Sequence, residues 1–140
     1  MIGGDWSQNC SMFSINDKDL KEKDLPLLLC RLFGPSGYVL DSNVYVAGLD
    51  HDDPRITRVM KLEKQDWIEF KNIDDHPAGG FSHLLYIQDK FLIFGGLTKD
   101  YKPSSDIYSF NKSTYKQLDN QMSDASDKEY PDYFLTGQSI

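Results

Sequence analysis

The densest group of side chains able to do chemistry is Asp50-His51-Asp52-Asp53, three carboxylates and an imidazole in consecutive positions. Carboxylate oxygen and imidazole nitrogen both ligate metals. The run lacks the Gly and the terminal Glu of a calcium-binding loop, however, and Pro54 follows it directly, so no metal site is read there. His51, His76 and His83 fall at no spacing that a catalytic centre requires. Cys10 and Cys30 are too few for a disulfide framework or a four-ligand zinc site, and are read as reduced structural thiols. The chain has no Gly-x-Ser-x-Gly elbow, phosphate loop, dinucleotide fingerprint or His-Glu-x-x-His helix. Paired carboxylates act as acid and base only where a cleft shifts their pKa values. No catalytic residue and no cofactor are assigned, and the chain is not read as an enzyme.

The acid recurs in stretches that read as loops: Asp74 and Asp75, Asp100 beside Tyr101, and the Ser- and Asp-rich segment 119–132. Net charge is −7 and the pI near 4.8. Nucleic-acid affinity rests on clustered Lys and Arg releasing counterions, so no nucleic-acid partner is expected. A loop face rich in Asp instead steers a basic protein or peptide. The candidate contact residues are Asp50, His51, Asp52, Asp53, Asp74, Asp75, Asp100 and Tyr101. No apolar run approaches the ~20 residues that span a bilayer, and the N-terminus lacks the basic and apolar stretches of a secretory signal. A cytoplasmic or nuclear protein with no membrane partner is expected.

The elements that would hold these loops are strands. With 39% hydrophobic and 13% aromatic residues in 140, the chain can bury a core. Slid against itself, it matches at an offset of 48 residues, the distance from Tyr38 to Tyr86. Asp41 then falls on Asp89, Gly48 on Gly96, Leu49 on Leu97, Asp52 on Asp100 and Lys64 on Lys112. Apolar positions coincide too: Val44-Tyr45-Val46 on Leu92-Ile93-Phe94, Val59 on Ile107, Leu62 on Phe110, Trp67 on Tyr115 and Phe70 on Leu118. Each unit predicts four short strands, in the later one about Ser82 to Ile87, Phe91 to Gly95, Asp106 to Asn111 and Tyr115 to Leu118. Tight turns at Asp41-Ser42 and Gln88-Asp89-Lys90 join the first two, and the spacing leaves room only for an antiparallel meander. The continuous apolar run Phe91 to Phe94 predicts a strand buried on both faces, ended by Gly95-Gly96. Lys18 to Asp24 reads as a solvated loop or a short salt-bridged helix.

These residues resemble the Kelch repeat, whose units carry a double glycine after the second strand, a Tyr on the third and an aromatic on the fourth. Gly95-Gly96, Tyr108 and Tyr115 occupy those places. In the earlier unit Ala47-Gly48 stands for the glycine pair, Met60 for the tyrosine, and Trp67 keeps the aromatic. Gly3-Gly4 followed by Met12 to Ile15 resembles the same pattern in part, with Leu27-Leu28-Leu29 available as a last strand.

The resemblance implies an all-β partial β-propeller of four-stranded antiparallel blades. Residues 1–30 would be a partial blade (strands two to four), 31–75 and 76–122 whole blades, and 123–140 a linker and the start of a further blade. Two whole blades and two parts cannot close a ring, so the chain is read as a piece of a larger propeller that needs the missing blades or another copy. The implied function is a protein-protein interaction scaffold, as in substrate adaptors of ubiquitin ligases that carry an F-box. The rival is a piece of a propeller oxidase resembling galactose oxidase, which would use copper with Tyr, His and Cys.

Overall fold

The computed structural model describes residues 8–16, 19–76 and 79–118. Within them the chain is all-β: ten strands and no helix, hence no helix long and apolar enough to cross a membrane. Strands β1 (Cys10–Asn16) and β2 (Asp19–Leu25) form an antiparallel pair. Strands β3 (Leu32–Leu40), β4 (Asn43–Asp50), β5 (Thr57–Glu63) and β6 (Asp66–Ile73) form one four-stranded antiparallel sheet in chain order. Strands β7 (His83–Ile87), β8 (Lys90–Phe94), β9 (Ile107–Phe110) and β10 (Tyr115–Leu118) form a second.

The two first hairpins are built alike. Asp41 and Ser42 have φ of 48° and 64°, Gln88 and Asp89 of 49° and 62°. Two successive left-handed residues make the two-residue turn whose twist matches that of paired strands, and the Asp in each tolerates that conformation best among the residues present. These turns fix register, since Leu40 pairs with Asn43 and Ile87 with Lys90.

Counting along the ladders from those turns corrects the repeat by one residue in the first two strands. Tyr45 corresponds to Leu92 and Tyr38 to Leu85, while Val59, Leu62 and Trp67 keep Ile107, Phe110 and Tyr115. The slip has a simple origin. The chain between equivalent ladder pairs is one residue longer in the second sheet: Ala47 pairs with Val59, 12 residues on, and Phe94 with Ile107, 13 residues on.

The layers follow from this alternation. Tyr45, Ala47, Val59 and Ile73 of the first sheet bury themselves against Leu84, Phe91, Ile93, Tyr108 and Phe110 of the second. Phe91 is the hub, its ring 4.7 Å from Tyr45, 5.0 Å from Tyr86 and 5.5 Å from Phe110. The other face of the first sheet packs Leu32, Val46, Met60 and Trp67 on Cys10 and Leu28, with Leu25 and Cys30 at the margin. In ladder terms Val46, Met60 and Trp67 are the counterparts of Ile93, Tyr108 and Tyr115. Both sheets therefore turn the same face toward the N-terminal side of the stack.

Several expectations change here. The charged run 19–25 is strand β2, and Leu27 to Leu29 lie in the irregular stretch after it. The Ala47-Gly48 pair ends no strand: it lies inside β4, where a Cβ on Gly48 would stand 3.0 Å from the Cβ of Leu32 and 3.2 Å from the Cα of Pro35. That glycine serves close approach, whereas Gly95 and Gly96, at φ of 65° and 97°, do turn the chain after β8. Strand β8 buries Phe91 and Ile93 but leaves Leu92 and Phe94 partly exposed, so the described residues cover only one of its faces. Tyr108 is buried, whereas Tyr115 is exposed beneath the ammonium of Lys71, 5.2 Å away. Gly3, Gly4 and residues 119–140 lie outside the described residues.

Trp67 buries its ring and donates its indole N–H to the Pro26 carbonyl at 2.8 Å. Trp67→Phe removes that donor and leaves the carbonyl unpaired, so it lowers stability by about 1–2 kcal/mol, measurable by urea denaturation.

Candidate functional site

An antiparallel meander sends every second connection to the same end. Here that end collects the β4–β5 loop, the link from β6 to β7 and the β8–β9 loop. All eight candidate contact residues lie there: Asp50 to Asp53 after β4, Asp74 and Asp75 after β6, Asp100 and Tyr101 after β8. Among the described residues, the opposite end holds the short turns between paired strands.

Within the first loop the carboxylates are matched by arginines. Asp50 is buried and hydrogen-bonded to Arg58 Nε, while its other oxygen accepts the backbone N–H groups of Asp52 (2.7 Å) and Asp53 (3.2 Å). Burial alone would raise its pKa. The hydrogen bonds from Arg58 and the two backbone groups outweigh it and hold the carboxyl below its ordinary value. Arg58 also reaches Glu69 at 3.1 Å. Asp53 takes a two-pronged hydrogen bond from Arg55, at 2.9 and 2.8 Å, which draws its pKa down to about 2. Asp52 lies 3.6 Å from Arg31 and 2.9 Å from His51 Nδ1. The loop is thus a cross-braced turn, not a bare anionic surface. Among the described residues no three His, Cys, Asp or Glu side chains gather as metal ligands would.

The remaining acids stand differently. Asp74, Asp75 and Asp100 are exposed and form no ion pair among the described residues. Beside them is an aromatic group of which sequence reasoning found only one member. Phe33 is buried, and the rings of Phe81 and Tyr101 stand edge-on to it at 5.2 and 5.5 Å. Phe81 is 43% exposed and Tyr101 63% exposed. Both hold left-handed backbones, φ 55° and 58°, a conformation rare for bulky residues and held only where the surroundings fix it. The bracing is visible: Phe81 N–H donates to Gly34 O at 2.6 Å, Gly80 and Leu97 exchange hydrogen bonds at 3.2 and 2.6 Å, and Tyr101 N–H donates to Thr98 O at 2.9 Å. The Gly79-Gly80 pair ahead of Phe81 was the signal available in the sequence.

His76 is buried at the root of this end, its ring 4.3 Å from that of Tyr108 and neither ring nitrogen hydrogen-bonded to another described residue. Its backbone carbonyl accepts the Thr57 hydroxyl at 2.8 Å. Burial pushes its pKa down to about 4 against a smaller opposing pull from Asp106. His83 stacks on Phe94 at 5.3 Å, a packing role.

No protein-family model matches this chain, and no curated protein matches it.

Proposed function

We propose that the chain is a binding module, a partial propeller of Kelch-like blades that captures a protein or peptide, most favourably a basic one, through the loops at one end. The observation that carries this reading is the gathering of exposed Asp74, Asp75 and Asp100 with Phe81 and Tyr101 at one end of the two sheets. Aromatic rings provide rigid contact area and a face for cations, and unpaired carboxylates attract Lys and Arg. The same-sense stacking of two meanders supports the blade reading, because blades around an axis repeat one orientation. In that reading the ring is completed by further blades or another copy, and a role as substrate adaptor belongs to the assembled protein. The cytoplasm or nucleus suits such a role.

A phage-displayed random peptide library panned on the immobilised chain tests this. Enriched peptides are rich in Lys and Arg, and the double substitution Asp100→Lys with Tyr101→Ala weakens their binding at least tenfold. Asp66→Lys, at the first residue of β6 at the opposite end, leaves it unchanged. No enrichment, or equal losses at both ends, refutes the loop site.

A further inference from the structure

The two sheets repeat one orientation, so the face that the second sheet turns away from the first has a counterpart whose partner is known. Counted along the ladders, Leu85, Ile87, Leu92, Phe94 and Ile107 stand where Tyr38, Leu40, Tyr45, Ala47 and Val59 stand in the first sheet. Those five positions of the first sheet face the next sheet: Tyr45, Ala47 and Val59 are buried in the shared core and Tyr38 and Leu40 pack against it. In the second sheet the same positions are all apolar, yet no other described sheet packs on them: Leu85 and Ile87 are 38% and 49% exposed, and Leu92, Phe94 and Ile107 are only partly buried. A face of this kind receives, within this chain, the opposite face of a like sheet.

Its charge is one-sided. Lys90, paired with Ile87, and Lys116, paired with Ser109, share this face, and no Asp or Glu occupies a strand position on it. Neither lysine forms an ion pair among the described residues. The chain as a whole carries −7. At the other end of the stack, β1 and β2 turn Cys10 and Leu25 into the core, so the neighbouring register pair Ser11 and Asp24 belongs to the opposite side of that hairpin, with Asp24 exposed.

We infer that this outer face is an interface for a second copy of the chain, docked head to tail so that the hairpin side of one copy covers the second sheet of the other. The apolar residues supply the contact, and Lys90 and Lys116 face Asp24 on the hairpin side of the incoming copy. Such an interface joins two different surfaces and leaves one of each free, so association continues until a ring closes. The inference rests on the stacked-blade part of the proposed function and is independent of the loop site.

Light scattering after size-exclusion chromatography and sedimentation velocity on the full chain, over roughly 1 to 100 µM, test it. The expected result is a discrete multimer of the 16.1 kDa chain. Lys90→Glu with Lys116→Glu weakens association at least tenfold, and adding Asp24→Lys to that double variant restores it. Both charge variants lie on the surface and keep the circular dichroism of the parent. Leu92→Glu, at a position only partly buried in the single chain, gives a monomer. Asp100→Lys leaves the mass unchanged, so loss of peptide capture and loss of self-association are read separately. A folded monomer at every concentration overturns the inference, as does association that ignores Leu92→Glu and the lysine reversals, including unlimited aggregation.

Discussion

Asp50→Ala lowers the folding stability of this chain by about 3 kcal/mol or more, the cost of leaving one half of a buried ion pair without its partner. Asp50 is 3% exposed in its side chain and Arg58 28%, so water replaces little of what is lost. The substitution also removes the acceptor of the Asp52 and Asp53 N–H groups, which hold the turn at the end of β4. Asp50→Asn keeps an acceptor for those groups but loses the charge opposite Arg58, and falls between wild type and alanine. Asp53→Ala, at a partly buried carboxylate whose partner Arg55 is itself 75% exposed, leaves the unfolding midpoint where it was. Urea titrations of the three variants check this ordering; equal midpoints for Asp50→Ala and Asp53→Ala would sink it. Because the Asp50 pKa is lowered by folding, its contribution is complete above the ordinary carboxyl range and is lost as pH falls through the lower folded value.

The second large effect sits at higher pH and has another source. His76 is neutral when folded and titrates near 4, against 6.5 when exposed. A depressed histidine pKa means that the unfolded chain takes up the proton first. Stability is therefore full above about pH 6.5 and declines as pH falls toward 4, by roughly 3 kcal/mol at about 1.4 kcal/mol per pKa unit. Asp106 is the carboxylate that opposes this, and its pull is the smaller cause. His76→Leu removes the titration, so its stability changes less between pH 7 and pH 4.5 than that of the parent. At pH 7 it costs little, since the two ring nitrogens have no hydrogen bonds to described residues to lose, and the Thr57 bond goes to the backbone. Thermal melts at pH 7, 5.5 and 4.5 compare the slopes, and parallel curves for parent and variant would refute the assignment.

How far the sequence could be read depended on whether a feature was local. The two turns at Asp41-Ser42 and Gln88-Asp89 were legible because a two-residue turn between apolar stretches is a local event, and from them the meander order followed. The one-residue slip was not legible: an extra residue between equivalent ladder pairs leaves gapless identities intact and shows only when the ladders are paired. Strand β2 was missed for a similar reason. Its Asp-Leu-Lys-Glu-Lys-Asp-Leu run has helix-like charge spacing, and pairing with β1 overrides that preference. At the candidate site the acids and Tyr101 were found by composition, but the partners of Asp50 were not, because Arg58 meets it only after the chain folds back on itself. Phe81 stands alone in a link with no periodicity, and its value comes from the contact with Phe33.

The two ends of the sheets differ in what they allow over time. Two-residue turns at one end clamp the first hairpin of each sheet in register, so a residue gained or lost there would invert which side chains meet the core. At the other end the chain from Ala47 to Val59 and that from Phe94 to Ile107 already differ in length by one residue, while Val59 and Ile107 keep the same place in their ladders. Length changes are absorbed where the aromatic and acidic side chains are displayed and refused where the strands are measured out. Such a molecule can acquire longer or altered loops by insertion and deletion, exploring new specificities without renegotiating its core.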